Sequence, residues 1–272
     1  MISESADFSR IQSKAGSADA ATWFSRTEAA RLESGEGSPM HVEGEAGERL
    51  STAGPRVIAL SPERASAVAA VLARAFAGDR TWGAVLPDEA ERRKALPLVW
   101  RALVGYSLVH GSVWTTAPLE GVLCLLPPHR NGVSVWGELR TGLRFSRAIL
   151  SLSSASRRRF LRFWPRVDAV RRRAVKGPYA YVWVLGVDPD RQGQGVGSAL
   201  LEAACARCDE AGLVCVLETE APRNVPFYER HGFRVVRTET VAPLGVRVWV
   251  LLRRPGALRQ HDAARLANHA SQ

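Results

Sequence analysis

The chain has 272 residues, 46% of them hydrophobic and 24% charged, the balance of a folded globular protein long enough to bury a sizeable core. No apolar run reaches the roughly 18 residues of a membrane-crossing helix, and Met1 to Arg10 is acidic rather than apolar, so neither a span nor a secretory leader is expected. The net charge is +10, and its excess sits mainly in one segment, residues 134–176, where only Glu138 and Asp168 oppose the arginines. Such a patch suits nucleic acid, an anionic membrane surface or cofactor phosphates, and composition does not choose among them.

In chain order, residues 1–54 are rich in Ser, Ala, Gly and Glu and poor in large apolar groups. They read as a flexible extension with a short helix around Ala20 to Leu32. The folded domain is expected over residues 55–255. It opens with a strand, Arg56 to Leu60. Ser61-Pro62-Glu63 then gives an N-cap, a proline at the first helical position and early acidic charge, for a helix running to Phe76. A second helix covers Glu89 to His110, with Pro97 as a place to kink. Two strands follow, Ser112 to Thr115 and Gly121 to Leu126, the second stopped by Pro127-Pro128.

Residues 134–176 read as two basic amphipathic helices split near Ser151 to Ser156. Trp136, Leu139, Leu143, Ile149, Phe160, Phe163 and Val167 form their apolar face, and the arginines are expected in solvent. The rest alternates regularly: strand Tyr179 to Val187, helix Gly195 to Ala211, strand Leu213 to Glu218, short helix Asn224 to His231, and strands Phe233 to Glu239 and Val246 to Arg253. Strand, helix, strand implies a parallel pair with a crossover, and the closing strands imply a hairpin. Residues 256–272 read as a tail.

The four cysteines are Cys124, Cys205, Cys208 and Cys215. The C-x-x-C spacing of Cys205 and Cys208 falls in a helical run with no second pair at zinc spacing, and His110, His129 and His231 have no ligand spacing either. No metal is expected. Free thiols fit a cytoplasmic setting.

The chemistry concentrates in Val187-Asp188-Pro189-Asp190-Arg191-Gln192-Gly193-Gln194-Gly195-Val196-Gly197-Ser198. An apolar strand enters this turn and an apolar-periodic helix leaves it. Three alternate glycines let the backbone turn sharply and approach a ligand, with the amides of Gly193 to Ser198 and the helix dipole favouring an anion such as a diphosphate. The spacing G-x-G-x-G differs from the dinucleotide fingerprint G-x-G-x-x-G, since Ser198 stands where its third glycine belongs.

Gln192-x-x-Gly195-x-Gly197 behind Leu185-Gly186-Val187-Asp188-Pro189 resembles the acetyl-CoA signature of the GNAT superfamily of N-acetyltransferases. Leu217-Glu218-Thr219, Ala221-Pro222-Arg223-Asn224 and Pro226-Phe227-Tyr228 continue the match, and together they resemble the puromycin N-acetyltransferases and their relatives. The strong similarity covers residues 179–255; the basic stretch and both tails are outside it. The resemblance implies an α/β fold with a mixed, splayed central sheet flanked by helices, and a helical basic insertion between the third and fourth strands. It implies acetyl-CoA as co-substrate and a small-molecule primary amine as acceptor, joined by direct attack in a ternary complex.

By the same resemblance Leu185, Gly186 and Val187 lie along the pantetheine, Gly186 suiting a bulge, with amides near Val187 facing the acyl oxygen. Arg191, Gln192, Gly193, Gln194, Gly195, Val196, Gly197 and Ser198 hold the phosphates, Arg191 equally well being a solvated arginine, and Asn224 binds the pantetheine or adenosine part. Glu218 becomes the base, directly or through water, and Tyr228 the acid for the leaving thiolate. Trp82, Trp100, Tyr106, Trp136 and Trp164 are candidates for an aromatic acceptor pocket. A non-catalytic acyl-CoA-binding module with a basic partner surface is the alternative. A dinucleotide oxidoreductase is a third reading, for which Glu218 stands at a suitable distance from the turn. Nucleic acid is not clearly indicated, and a homodimer stays open.

Overall fold

The computed structural model describes residues 54–257 apart from His129 and Asn131; the expected extension with its helix near Ala20 to Leu32, His129, and the tail beyond 257 lie outside them. Seven strands form one open sheet: β1 (Val57–Ala59), β2 (Ser112–Thr116), β3 (Gly121–Leu126), β4 (Tyr179–Val187), β5 (Val214–Thr219), β6 (Arg234–Val241) and β7 (Val246–Arg253). Their spatial order is β1-β2-β3-β4-β5-β7-β6. β4 and β5 run parallel, and every other neighbouring pair is antiparallel. This is the mixed sheet expected, with the β6–β7 hairpin folded back so that β7 lies beside β5. One parallel pair is also too little for the doubly wound sheet that the oxidoreductase reading requires.

The helices are α1 (Ala65–Ala75), α2 (Arg80–Val85), α3 (Glu89–His110), α4 (Val135–Arg140), α5 (Arg144–Leu150), α6 (Ser154–Ala174), α7 (Val196–Glu210) and α8 (Val225–Arg230). Pro62–Arg64 forms a tight 3-10 turn before α1, where a continuous helix was expected, and Phe76 caps the far end. α3 has the expected bounds. The Asp88 carboxylate accepts the Glu91 N–H at 2.8 Å, and the helix runs through Pro97 unbroken. The basic stretch holds three helices rather than two. The buried Glu138 carboxylate accepts the Ser146 N–H at 2.7 Å and its hydroxyl at 2.6 Å, which folds α5 back against α4. Glu91 accepts the Ser153 N–H and the Ser156 hydroxyl, each at 2.7 Å, and so fastens the start of α6 to α3.

Side chains alternate across a strand. Val122, Cys124, Tyr181 and Val216 therefore face the layer of α1, α3 and α6, whose Leu72, Val99, Phe163 and Val167 are buried there. Leu123, Leu125, Cys215 and Leu217 face α7 through Leu200, Leu201 and Ala204, and Cys205 and Cys208 are buried in that second layer.

The two central strands pair for three residues only: Tyr179 with Val214, Ala180 with Cys215 and Tyr181 with Val216. Beyond that point β4 stays with β3 as far as Val187, while β5 follows β7 to Thr219 opposite Trp249. The sheet splays between them. A bulge bends β4 at Trp183, where the register against β3 shifts between Cys124 and Leu125. The sequence suggested Gly186 for this bulge, but Gly186 pairs regularly with Val122. Its lack of a side chain serves packing. A Cβ there would stand 2.6 Å from Leu72 Cδ2 and 3.0 Å from Phe76 Cε2, so the glycine lets α1 lie on the strand.

The far side of the sheet is tied by Arg253 at the end of β7. Its buried guanidinium donates to both Asp209 oxygens, at 2.7 and 2.8 Å, and to the His231 carbonyl at 3.2 Å. Removing the carboxylate leaves a buried charge uncompensated. Asp209→Ala should lower unfolding stability by about 3 kcal/mol in a urea titration; a loss under about 1 kcal/mol would show that Arg253 rehydrates at little cost.

Candidate active site

The site begins where β4 ends. The Asp188 N–H donates to the Glu120 carbonyl at 2.8 Å, and its carboxylate accepts from Arg74 Nε at 3.0 Å. Pro189–Arg191 makes one 3-10 turn, after which Gly193 (φ 77°) and Gly195 (φ 82°) take left-handed conformations that favour glycine. Residues Gln192 to Gly195 are exposed. Among the described residues no hydrogen bond takes the amides of Gly193 to Ser198; the first one bonded is Ala199, to the Gly195 carbonyl at 3.0 Å. These free donors stand at the positive end of the 15-residue α7.

The neighbouring side chains brace the turn. Gln192 Nε2 donates to the Val187 carbonyl at 3.3 Å and Gln194 Nε2 to the Asp190 carbonyl at 3.0 Å. Arg191 pairs with Glu120 at 3.1 Å, so its guanidinium is already engaged. The Asp188–Glu120 bond also sets the phase of the ladder. By antiparallel alternation the next bonded pair is Gly186 with Val122, which turns the main-chain groups of Leu185 and Val187 toward the splay. A Cβ on Gly197 would stand 3.4 Å from Val187 Cγ2, so the turn and this open edge are adjacent.

The splay continues into a cavity of about 310 Å³, lined at its fork by Tyr181, Leu185, Leu217, Glu218, Glu220 and Tyr228, with Asn224 beside them. Glu218 and Glu220 are two apart at the end of β5 and so share a face. Asn224 belongs to a 3-10 turn, Pro222–Asn224, with α8 starting at Val225, where one helix was expected. Its Nδ2 reaches Thr219 Oγ1 at 3.4 Å.

Glu218 is not a free carboxylate. Its Oε1 accepts from Arg171 Nη1 at 2.6 Å and from the Tyr181 hydroxyl, while Oε2 is buried without a partner. Arg171, from the basic insertion, is fully buried. It also bonds Asp168 at 2.6 Å and lies 3.8 Å over the Tyr181 ring. Burial raises the Glu218 carboxyl above its ordinary pKa, and the Arg171 charge opposes that rise. Glu220 has no such partner. Burial, followed by repulsion from Glu218 and Asp79, pushes it up to about 8, and its Oε1 is buried and unpaired. Tyr228 is raised by burial and by the same two glutamates, so its hydroxyl keeps its proton.

Trp82, Trp100 and Trp164 line the cavity, as expected of acceptor-pocket aromatics. Tyr106 and Trp136 do not. Tyr106 is buried with its hydroxyl on the Gly132 carbonyl at 3.1 Å, and Trp136 is 77% exposed on α4. Two polar residues were missed from the sequence. Glu220 could have been found from Glu218 by strand alternation. Arg171 could have been found from helical phase, since it falls on the stripe of Phe160, Phe163, Val167 and Val170 that α6 buries.

Comparison with known proteins agrees with this geometry. Residues 160–235 match the family model described as the acetyltransferase (GNAT) domain. Mycothiol acetyltransferase of Propionibacterium freudenreichii subsp. shermanii is 46% identical over 65 residues, 23% of this chain and 21% of that protein. The enzyme of the same name from Geodermatophilus obscurus is 44% identical over 63 residues, 21% and 20% of the two chains. The chain thus spans about a fifth of the length of the curated relatives it matches. A Corynebacterium glutamicum structure described as a histone acetyltransferase and related acetyltransferase shares the fold with a TM-score of 0.52 at 21% identity, over 74% of this chain and 97% of that one. Residues 160–235 are thus similar to the GNAT acetyltransferase domain, within a sheet of that fold. No helix among the described residues is long and apolar enough to cross a membrane.

The raised Glu220 has a thermodynamic consequence. The native state keeps a proton that the unfolded chain gives up at the ordinary 4.5, so this group's contribution to stability falls as pH rises from there to about 8. Glu220→Gln should therefore gain stability relative to the parent between pH 5 and pH 9 in paired urea titrations. An unchanged difference across that range would mean that Glu220 ionises normally.

Proposed function

We propose that this chain transfers the acetyl group of acetyl-CoA to a primary amine of a small molecule, both substrates being bound at once. The observation that carries the proposal is the row of unpartnered N–H groups from Gly193 to Ser198 at the head of α7, continuous with the open edge of β4 and the cavity beyond. A diphosphate satisfies such donors. Arg191 has a smaller part than the sequence suggested, because Glu120 already holds it.

Acetyl-CoA supplies a thioester, an acyl group activated toward an amine. Leu185, Gly186 and Val187 offer an unpaired strand edge for its pantetheine, and Asn224 stands across the gap. The Val187 N–H is suited to the negative charge that develops on the acyl oxygen, a role in which one donor contributes on the order of 3 kcal/mol.

An alkylamine arrives protonated. Glu218, bonded to Arg171, is suited to anchor the ammonium. Glu220, raised to about 8, is the stronger proton acceptor once ionised, directly or through water. The neutral nitrogen then attacks the thioester carbon. As the C–S bond breaks, Tyr228 gives its proton to the sulfur, and the proton still carried by nitrogen restores the phenol. The net products are the acetamide, free thiol and one proton.

A non-catalytic acyl-CoA module would need the turn but not a buried carboxylate pair facing a tyrosine. The acceptor of mycothiol acetyltransferases is not carried over, because the family-model match at 160–235 leaves out α2 and α3, which wall the acceptor side of the cavity.

Thiol release with acetyl-CoA and an amine tests this directly. Glu220→Gln and Tyr228→Phe should each lower kcat by about 100-fold or more, with the dissociation constant for acetyl-CoA unchanged by calorimetry. Full turnover in both variants would assign the proton transfers elsewhere.

A further inference from the structure

The far half of the cavity is built differently from the fork. It is walled by Phe76, Trp82, Trp100, Phe160, Trp164 and Trp183, contributed by the C-cap of α1 and by α2, α3, α6 and β4. These rings hold one another in place. The Trp82 ring centroid lies 5.3 Å from Trp100 and 5.6 Å from Trp164, and Phe76 lies 4.7 Å from Trp100. The indole N–H groups of Trp100 and Trp164 are buried without a partner. Against the rings stand four acidic side chains: Asp79, Asp168, Glu218 and Glu220. No Lys, Arg or His is among the described residues lining the cavity, in a chain with 37 basic and 27 acidic residues. Arg171, which reaches Glu218 at the fork, is already bonded to Asp168 and Glu218.

From this we infer the acceptor class: a cationic primary amine carried on an aromatic or similarly flat apolar body, with no carboxylate or phosphate of its own. The inference rests on the acetyl-transfer reading and adds the substrate to it. Three features select together. Ring faces attract both an apolar body and a positive charge. The carboxylates stabilise the ammonium where Glu220 can take its proton. A second anionic group on the acceptor finds no cation to pair with, since no basic side chain lines the cavity among the described residues and Arg171 is held by Asp168 and Glu218. Amino acids and nucleotides are thereby disfavoured, and so are polyamines, which satisfy the charge but leave the rings uncovered.

The test compares acceptors that differ in one feature each, with the full chain and saturating acetyl-CoA: tryptamine against tryptophan, 2-phenylethylamine against phenylalanine, and both amines against spermidine. The expected kcat/KM for the arylalkylamines exceeds that of their carboxylated counterparts by about 100-fold or more, and that of spermidine by about tenfold or more. Trp82→Leu should shrink the margin over spermidine. Equal or better acetylation of tryptophan or spermidine overturns the acceptor assignment and leaves acetyl transfer standing. Calorimetry with acetyl-CoA alone separates the deeper failure: no binding, or binding with no amine acetylated, overturns the parent reading and this inference together. Saturable quenching of indole fluorescence by 2-phenylethylamine supports the assignment independently of turnover, and absence of any such binding overturns it.

Discussion

The structure depends on one broken ladder. After Tyr181 and Val216, β4 and β5 each keep their outer partner and give up each other, which leaves main-chain polar groups in the middle of a sheet without mates. Buried backbone groups seldom remain unpaired in a folded protein. A groove with unmet hydrogen bonds, flanked by two rigid strands and ending at a helix N-terminus with free amides, is therefore suited to a long ligand that is polar along its length and anionic at one end. The bulge at Trp183 and the close packing of α1 over Gly186 fix the course of β4 away from β5.

The fork of the splay is also where charge is concentrated. Arg171 reaches it from the insertion, and its full burial is tolerable because Glu218, Asp168, the face of Tyr181 and the hydroxyl of Tyr179 surround it. Breaking such a buried pair costs more than its net stabilisation, since the remaining charge is stranded. The insertion thus supplies the counter-charge that separates the characters of two neighbouring carboxylates. Glu218 is held against a cation, while Glu220, lacking one, is raised toward neutral pH. Two glutamates two residues apart acquire different chemistry from their surroundings alone.

Much of this was legible in the sequence. The strand–turn–helix at Val187 to Ser198 was unambiguous because alternating glycines and apolar periodicity agree there, and the bounds of α3 and β4 followed from hydrophobic pattern and capping. The bulge was not legible. Gly186 looked like the irregular residue, but the irregularity lies at Trp183, and the glycine answers to a helix more than 100 residues earlier in the chain. The basic stretch misled in a similar way. Its arginines read as a solvated face, and Arg171 differs from Arg172 and Arg173 only in helical phase. The aromatic candidates divided by tertiary position: Trp82, Trp100 and Trp164 meet around the cavity, whereas Trp136 stays on the surface, which local pattern does not specify.

Cofactor binding depends most directly on the backbone of one turn. Hydrogen exchange of the Gly193 to Ser198 amides, followed with and without acetyl-CoA, interrogates it without requiring the amine. The prediction is fast exchange in the free protein, as befits donors with no internal acceptor, and strong protection on adding acetyl-CoA. Amides already protected in the free protein, or unaltered when acetyl-CoA binds elsewhere, would contradict it.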